Sequence, residues 1–101
     1  MATPTENNDV LLQTIRGLGY LSLVDFAREQ AKGILEQKIA YYQSRIDFFE
    51  QKYGLDFVHF GEQFEQLKPY SVLEKEDDSL RWETALDVVN SYRNELLALN
   101  Q

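Results

Sequence analysis

The sequence predicts an all-α fold, an antiparallel helical bundle of three to four helices in which one helix is overlong. Two periodic rows and sparse punctuation carry that prediction. Leu35, Tyr42 and Phe49 recur every seven residues, and so do Ile39, Ile46 and Tyr53. Together they make the alternating three-four spacing of a helical seam. Trp82, Ala85, Val89, Tyr92, Leu96 and Leu99 repeat that spacing to the C-terminus. Only two prolines occur, Pro4 and Pro69, and the glycines fall mostly at places suited to helix ends.

The elements follow in order. Residues 1–8 are polar and read as a disordered leader. Asp9 is placed to cap a short helix over Val10–Arg16, which Gly17 and Gly19 stop. Ser22-Leu23-Val24-Asp25 is a capping-box-like start for a second helix running to Tyr53. Gly54 suits the left-handed position that ends it, with Leu55 supplying the accompanying apolar contact. Thirty-one residues of helix extend about 46 Å, whereas a compact domain of this size is about 34 Å across. The helix therefore bends, breaks near Gly33, or projects.

Asp56 is placed to cap a third helix that shows Phe57, Phe60, Phe64 and Leu67 on one face and ends before Pro69. Lys68 to Asp78 is the longest irregular stretch, with Glu74-Lys75-Glu76-Asp77-Asp78 as its acidic tip. Asp77 or Asp78 then caps a fourth helix, the antiparallel partner of the second.

At 101 residues and 44% hydrophobic content, the chain is read as a single domain with enough apolar material for a core. It has no cysteine, which excludes disulfides and thiolate metal sites and suits a reducing cytoplasm. The first nine residues lack the pattern of a secretory signal. No run approaches the roughly 18 apolar residues of a membrane span, so a soluble cytoplasmic protein is expected. Net charge is −7, carried unevenly. Residues 1–53 hold seven acids and six bases, whereas residues 54–101 hold ten acids and four bases. That acidic half disfavours direct nucleic-acid binding and favours encounter with a basic protein.

The parts of an active site are missing. His59 is the only histidine, and with Asp56 three residues before it reads as a surface or boundary residue rather than a metal ligand. The inward rows of the second helix offer no acid to complete a metal set. Every acid is assigned to a polar face, a cap or the acidic loop, so none is desolvated for general acid–base work. No nucleophile–base arrangement and no glycine-rich phosphate loop occur. The expectation is no enzyme, no cofactor and no metal.

Candidate partner-binding residues are of three kinds. Lys38, Arg45 and Lys52 form a basic row beside a second apolar row, Ile34, Tyr41 and Phe48. In one reading these bases snorkel over the seam and meet acids of the third or fourth helix. In the other, Tyr41 and Phe48 anchor a partner that the bases orient. The acids Glu62, Glu65, Glu74, Glu76, Asp77 and Asp78 form an acidic surface. Trp82 is a core anchor or an interface hot spot.

Phe49-Glu-Gln-Lys-Tyr-Gly-Leu-Asp-Phe-Val-His-Phe-Gly-Glu-Gln-Phe64 is followed by Asp77-Asp78-Ser79-Leu80-Arg81-Trp82-Glu83. This arrangement resembles small acidic helical proteins of prokaryotic toxin–antitoxin-type pairs, over roughly residues 35–99. In those, a Lys-Tyr-Gly turn ends a long helix, a Phe-x-x-Phe helix follows, and an acidic loop leads to a Trp-containing helix. The resemblance implies an antitoxin-like module that sequesters a basic, RNA-cleaving toxin and carries no catalytic residues. The alternative is a homodimeric helical adaptor with no inhibited enzyme, which the same heptads support.

Overall fold

A computed structural model describes residues 4–101, with side chains from Asp9 onward. The order is α1 (Pro4–Gly17), α2 (Leu23–Tyr53), α3 (Phe57–Glu62), a 3-10 turn (Phe64–Gln66) and α4 (Val72–Leu99). No strand forms among the described residues, so the all-α prediction holds. The chain packs as two compact units, Met1–Ile34 and Leu35–Gln101.

In the first unit, α1 begins at Pro4, so Asp9 lies inside the helix and does not cap it. Proline is well suited to a first helical turn, where its missing N–H costs no hydrogen bond. Of the leader expected over residues 1–8, residues 1–3 lie outside the described ones and residues 4–8 are helical. The helix ends in a Schellman motif. Tyr20 N–H donates to Ile15 O and Gly19 N–H to Arg16 O, with Gly19 left-handed at φ 102°. Ser22 Oγ then accepts from Asp25 N–H at 3.1 Å, the cap that opens α2. Helix α2 runs through Gly33 without interruption.

In the second unit, α2 and α4 run antiparallel: Tyr53 meets Asp78, Phe49 meets Trp82, and Gln43 meets Arg93. The core is Ile46, Phe49 and Tyr53 of α2, Phe60 of α3, and Trp82, Ala85 and Val89 of α4. These are the two seams expected from the periodicity. Trp82 is fully buried, its ring within 6.1 Å of those of Phe49, Tyr53, Phe57 and Phe60. Gly54, at φ 68°, closes α2 by donating to Glu50 O, and Leu55 packs on the core beside it.

Two boundaries differ from expectation. Helix α3 stops at Glu62 and tightens into the 3-10 turn, so Pro69 does not end it. Helix α4 starts at Val72, not after Asp77 or Asp78. Ser71 Oγ accepts from Glu74 N–H at 3.1 Å, and Ser71-Val72-Leu73-Glu74 has the sequence form of a capping box. The expected acidic loop is therefore the first turns of a helix. Acids at the positive end of a helix macrodipole are stabilising, which is why so charged a segment is helical.

Candidate functional site

The helical start of α4 redistributes the candidate residues. Lys75 and Asp78 face inward and are buried, although both belonged to the supposed solvent loop. Lys75 Nζ donates to Phe64 O at 2.6 Å and lies 4.6 Å from the Phe64 ring centre. It thus satisfies a carbonyl of the 3-10 turn.

Asp78 is the centre of a polar network between α2 and α4. Its Oδ2 accepts from Tyr53 Oη and from Lys52 Nζ, both at 2.6 Å. Lys52 also pairs with Glu74 Oε2 at 2.5 Å. Tyr70 Oη donates to Lys52 O at 2.9 Å, satisfying a carbonyl in the last turn of α2. Hydrogen bonds to Asp78 and then to Glu74 hold the Lys52 ammonium well above its ordinary pKa, against the opposing effect of burial. Burial, followed by the hydrogen bond to Asp78, pushes the Tyr53 phenol well above its own.

This network corrects three assignments. Asp78 is not part of an acidic surface, because it is buried and bonded to Tyr53 and Lys52. Lys52 takes the snorkelling role and meets acids of α4, so it is not offered to a partner. Glu74 is exposed but its carboxylate is committed to Lys52. Trp82 is likewise a core anchor and not an interface residue, having no exposed surface.

The remaining candidates are accessible. Glu62, Glu65, Glu76, Asp77 and Lys38 are exposed, as are Tyr41 and Phe48. Arg45 is half-buried, its guanidinium 5.2 Å from the Phe48 ring centre and 5.6 Å from that of Phe49. His59 is exposed, as expected. Its ring Nδ1 lies 2.7 Å from Asp56 Oδ1, which also accepts the His59 backbone N–H at 2.8 Å. Donating to the Asp56 carboxylate raises the imidazole pKa, and the His59 backbone N–H first, then its ring, lower that of Asp56. No metal-binding set of three or more His, Cys, Asp or Glu forms among the described residues.

Two surface features emerge that sequence reasoning missed. The first is the outward face of α4. Leu73 lies nine residues from Trp82, about two and a half turns away and so on the opposite side of the helix. Leu80 falls on the same face, and the two leucines are 69% and 66% exposed. Glu76, Asp77, Glu83 and Asp87, all exposed, surround them at helical three-four spacing. The seven-residue interval between the leucines was the available signal, obscured while residues 68–78 were read as a loop.

The second feature is a groove of about 540 Å³ between α2 and α4. Tyr41, Tyr42 and Arg45 line it from α2, and Leu80, Arg81 and Thr84 from α4. It brings together two candidate residues of α2, Tyr41 of the apolar row and Arg45 of the basic row, with an arginine that the sequence did not single out. No described helix is long and apolar enough to cross a membrane. Compared with protein-family models, with curated proteins and with solved structures, the chain matches none.

Proposed function

We propose that this chain is an antitoxin-like protein-binding module that sequesters a basic, RNA-cleaving partner through the outward face of α4. The observation that carries this reading is the pair of exposed leucines, Leu73 and Leu80, set among Glu76, Asp77, Glu83 and Asp87. Acids around an apolar centre accelerate encounter with a basic surface, and the buried apolar anchors then slow dissociation. Glu62 and Glu65 add to the same negative field. Acids laid over a cationic cleft would displace the phosphates of an RNA substrate.

The test is co-expression with the product of the neighbouring gene, a small basic nuclease-like protein being the one this reading requires, scoring complex formation and relief of growth arrest. The informative variant changes Glu76, Asp77, Glu83 and Asp87 to Lys and leaves Glu74 and Asp78 intact, because those two hold the fold. Loss of both complex and rescue supports the reading. Rescue that survives this variant but is lost with Leu73→Asp and Leu80→Asp together removes the electrostatic part alone. No complex and no rescue with the native chain sinks the role.

A second reading, the homodimeric adaptor, is favoured by the unit Met1–Ile34. Val10, Leu18, Leu21 and Val24 are exposed there, in a segment with four acids and three bases that repels its own copy little. Light scattering on the isolated chain distinguishes the two: a stable dimer abolished by Leu18→Asp and Leu21→Asp supports the adaptor.

A further inference from the structure

The groove between α2 and α4 gathers positive charge on a chain that is otherwise negative. Arg45 enters from α2 and Arg81 from α4. Neither has a carboxylate within ion-pair distance among the described residues. What sets the two apart is that both line one groove whose lining holds no acid, on a chain of 17 acids against 10 bases and a net charge of −7. Within the same unit Lys52 is engaged with Glu74 and Asp78, Lys75 with Phe64 O, and Arg93 with Gln43, whereas Lys38 and Lys68 are exposed without an ion pair among the described residues and line no part of the groove.

The walls of the groove are apolar and aromatic. Tyr41 and Tyr42 meet edge to face with ring centres 5.0 Å apart. Leu80 is exposed on the opposite wall, and the Arg45 guanidinium lies over the exposed Phe48 ring. Rigid aromatic anchors beside arginines are the residue types that dominate binding energy at protein interfaces. A volume of about 540 Å³ is enough to take one or two side chains of a docked segment.

We propose that this groove docks an acidic, amphipathic helical segment of a partner protein. Carboxylates of that segment pair with Arg45 and Arg81, and its apolar side chains enter between Tyr41 and Leu80. Guanidinium groups bind carboxylates through two parallel hydrogen bonds, which fixes the direction of the segment as well as its charge. A nucleic acid meets the same two arginines but brings a continuous row of phosphates. Those would lie against Asp77 and the acidic face of α4, which opposes binding. The partner is opposite in sign to the one drawn to the outward face of α4; Leu80 borders both sites, so the charge changes separate them, Arg45 and Arg81 for the groove against Glu76, Asp77, Glu83 and Asp87 for the outward face.

Fluorescence anisotropy with a labelled helical peptide tests the proposal. The peptide carries Leu and Phe at three-four spacing with Glu at the flanking positions, and a matched peptide carries Gln in place of Glu. The acidic peptide is expected to bind the full chain, to weaken as salt is raised, and to lose about tenfold or more in affinity with Arg45→Glu plus Arg81→Glu. Lys68→Glu, half that charge change at an exposed site that does not line the groove, should leave the affinity nearly unchanged. Circular dichroism of each variant checks that the fold is kept. The proposal is overturned if the acidic peptide does not bind, or if the Gln peptide binds equally well. It is also overturned if Lys68→Glu weakens binding as much as the double arginine variant, or if a single-stranded oligonucleotide binds the groove more tightly. Self-association that disappears with the double variant would assign the groove to a second copy instead.

Discussion

Tyr53 Oη donates to Asp78 Oδ2 at 2.6 Å, and both side chains are buried between the C-terminal end of α2 and the first turns of α4. This bond sits beside the aromatic core, with Tyr53 stacked 6.1 Å from Trp82. Its donor comes from a Lys-Tyr-Gly helix end and its acceptor from a run of acids that looks solvent-directed in sequence. A residue that ends one helix thereby fixes where another packs.

Replacing Asp78 with Ala leaves the Tyr53 hydroxyl and the Lys52 ammonium without their shared acceptor. The expected loss is about 2–3 kcal/mol, in the range for buried hydrogen bonds to charged groups. Asp77→Ala, at the exposed neighbour, should change stability by no more than about 0.5 kcal/mol. Urea unfolding of the two variants checks this. Equal midpoints would show that the network contributes nothing.

The same network sets an alkaline limit. Lys52 and Tyr53 both bind their protons more tightly folded than unfolded. Their contribution is complete below the unfolded values, about 10 for either group. Stability should fall as pH rises from there toward the folded values, since the native state then holds more protons than the unfolded one. Base titration followed by tyrosinate absorbance should show one tyrosine ionising only as helicity is lost. Asp78→Asn should move that transition to lower pH.

Trp82 Nε1 is buried with no hydrogen-bond partner among the described residues. An unsatisfied buried donor costs about 1–3 kcal/mol, which offsets part of what the ring contributes. Trp82→Phe should therefore cost less than about 2 kcal/mol, whereas Trp82→Ala should cost about 3–5 kcal/mol through the cavity it leaves. Thermal unfolding by circular dichroism distinguishes the two. A large loss with Phe would mean that ring volume alone decides the site.

Two glycines should respond in opposite directions to alanine. A Cβ meets nothing within 4 Å at either Gly33 or Gly54, so sterics with neighbours are silent. Gly33 lies inside α2, and Gly33→Ala should stabilise by about 1 kcal/mol through helix propensity. Gly54 has φ 68°, and Gly54→Ala should destabilise by about 1–2 kcal/mol because a Cβ strains the left-handed conformation. Chemical denaturation of both variants measures the contrast.

At the exposed Asp56–His59 pair, the His59 pKa is raised and the Asp56 pKa lowered. The histidine contribution is present below its unfolded pKa and is lost as pH rises through the folded one. The aspartate contribution is present above its unfolded pKa and is lost as pH falls through the folded one. The pair is therefore strongest between about pH 4 and 6.5. An NMR titration should find the imidazole pKa above about 6.5, and Asp56→Asn should lower it.

Much of the scaffold was legible because it depends on local rules. The seam from Leu35 to Tyr53 and the row from Trp82 to Leu99 follow from the 3.6-residue period, and burying both faces at once requires an antiparallel pair. Gly54, Asp56 and Ser22 were recognisable because caps act within a few residues. The candidate site was less legible, because charge alone does not reveal orientation. Once Ser71 starts α4, helical phase turns Lys75 and Asp78 inward and Glu76 and Asp77 outward, although all four look alike in sequence.

By itself the sequence determined the helical class, the pairing of α2 with α4, and the identity of Phe49 and Ile46 as core material, since apolar periodicity and burial are two expressions of one requirement. Tertiary structure alone decided which charges remain available. Lys52 and Asp78 neutralise each other across two helices, 26 residues apart in the chain, while Arg45 and Arg81, 36 apart, converge on one groove without carboxylate partners among the described residues. The physical reason is range: helix propensity and capping act over one turn, whereas the pairing of charges depends on which faces the packed core brings together.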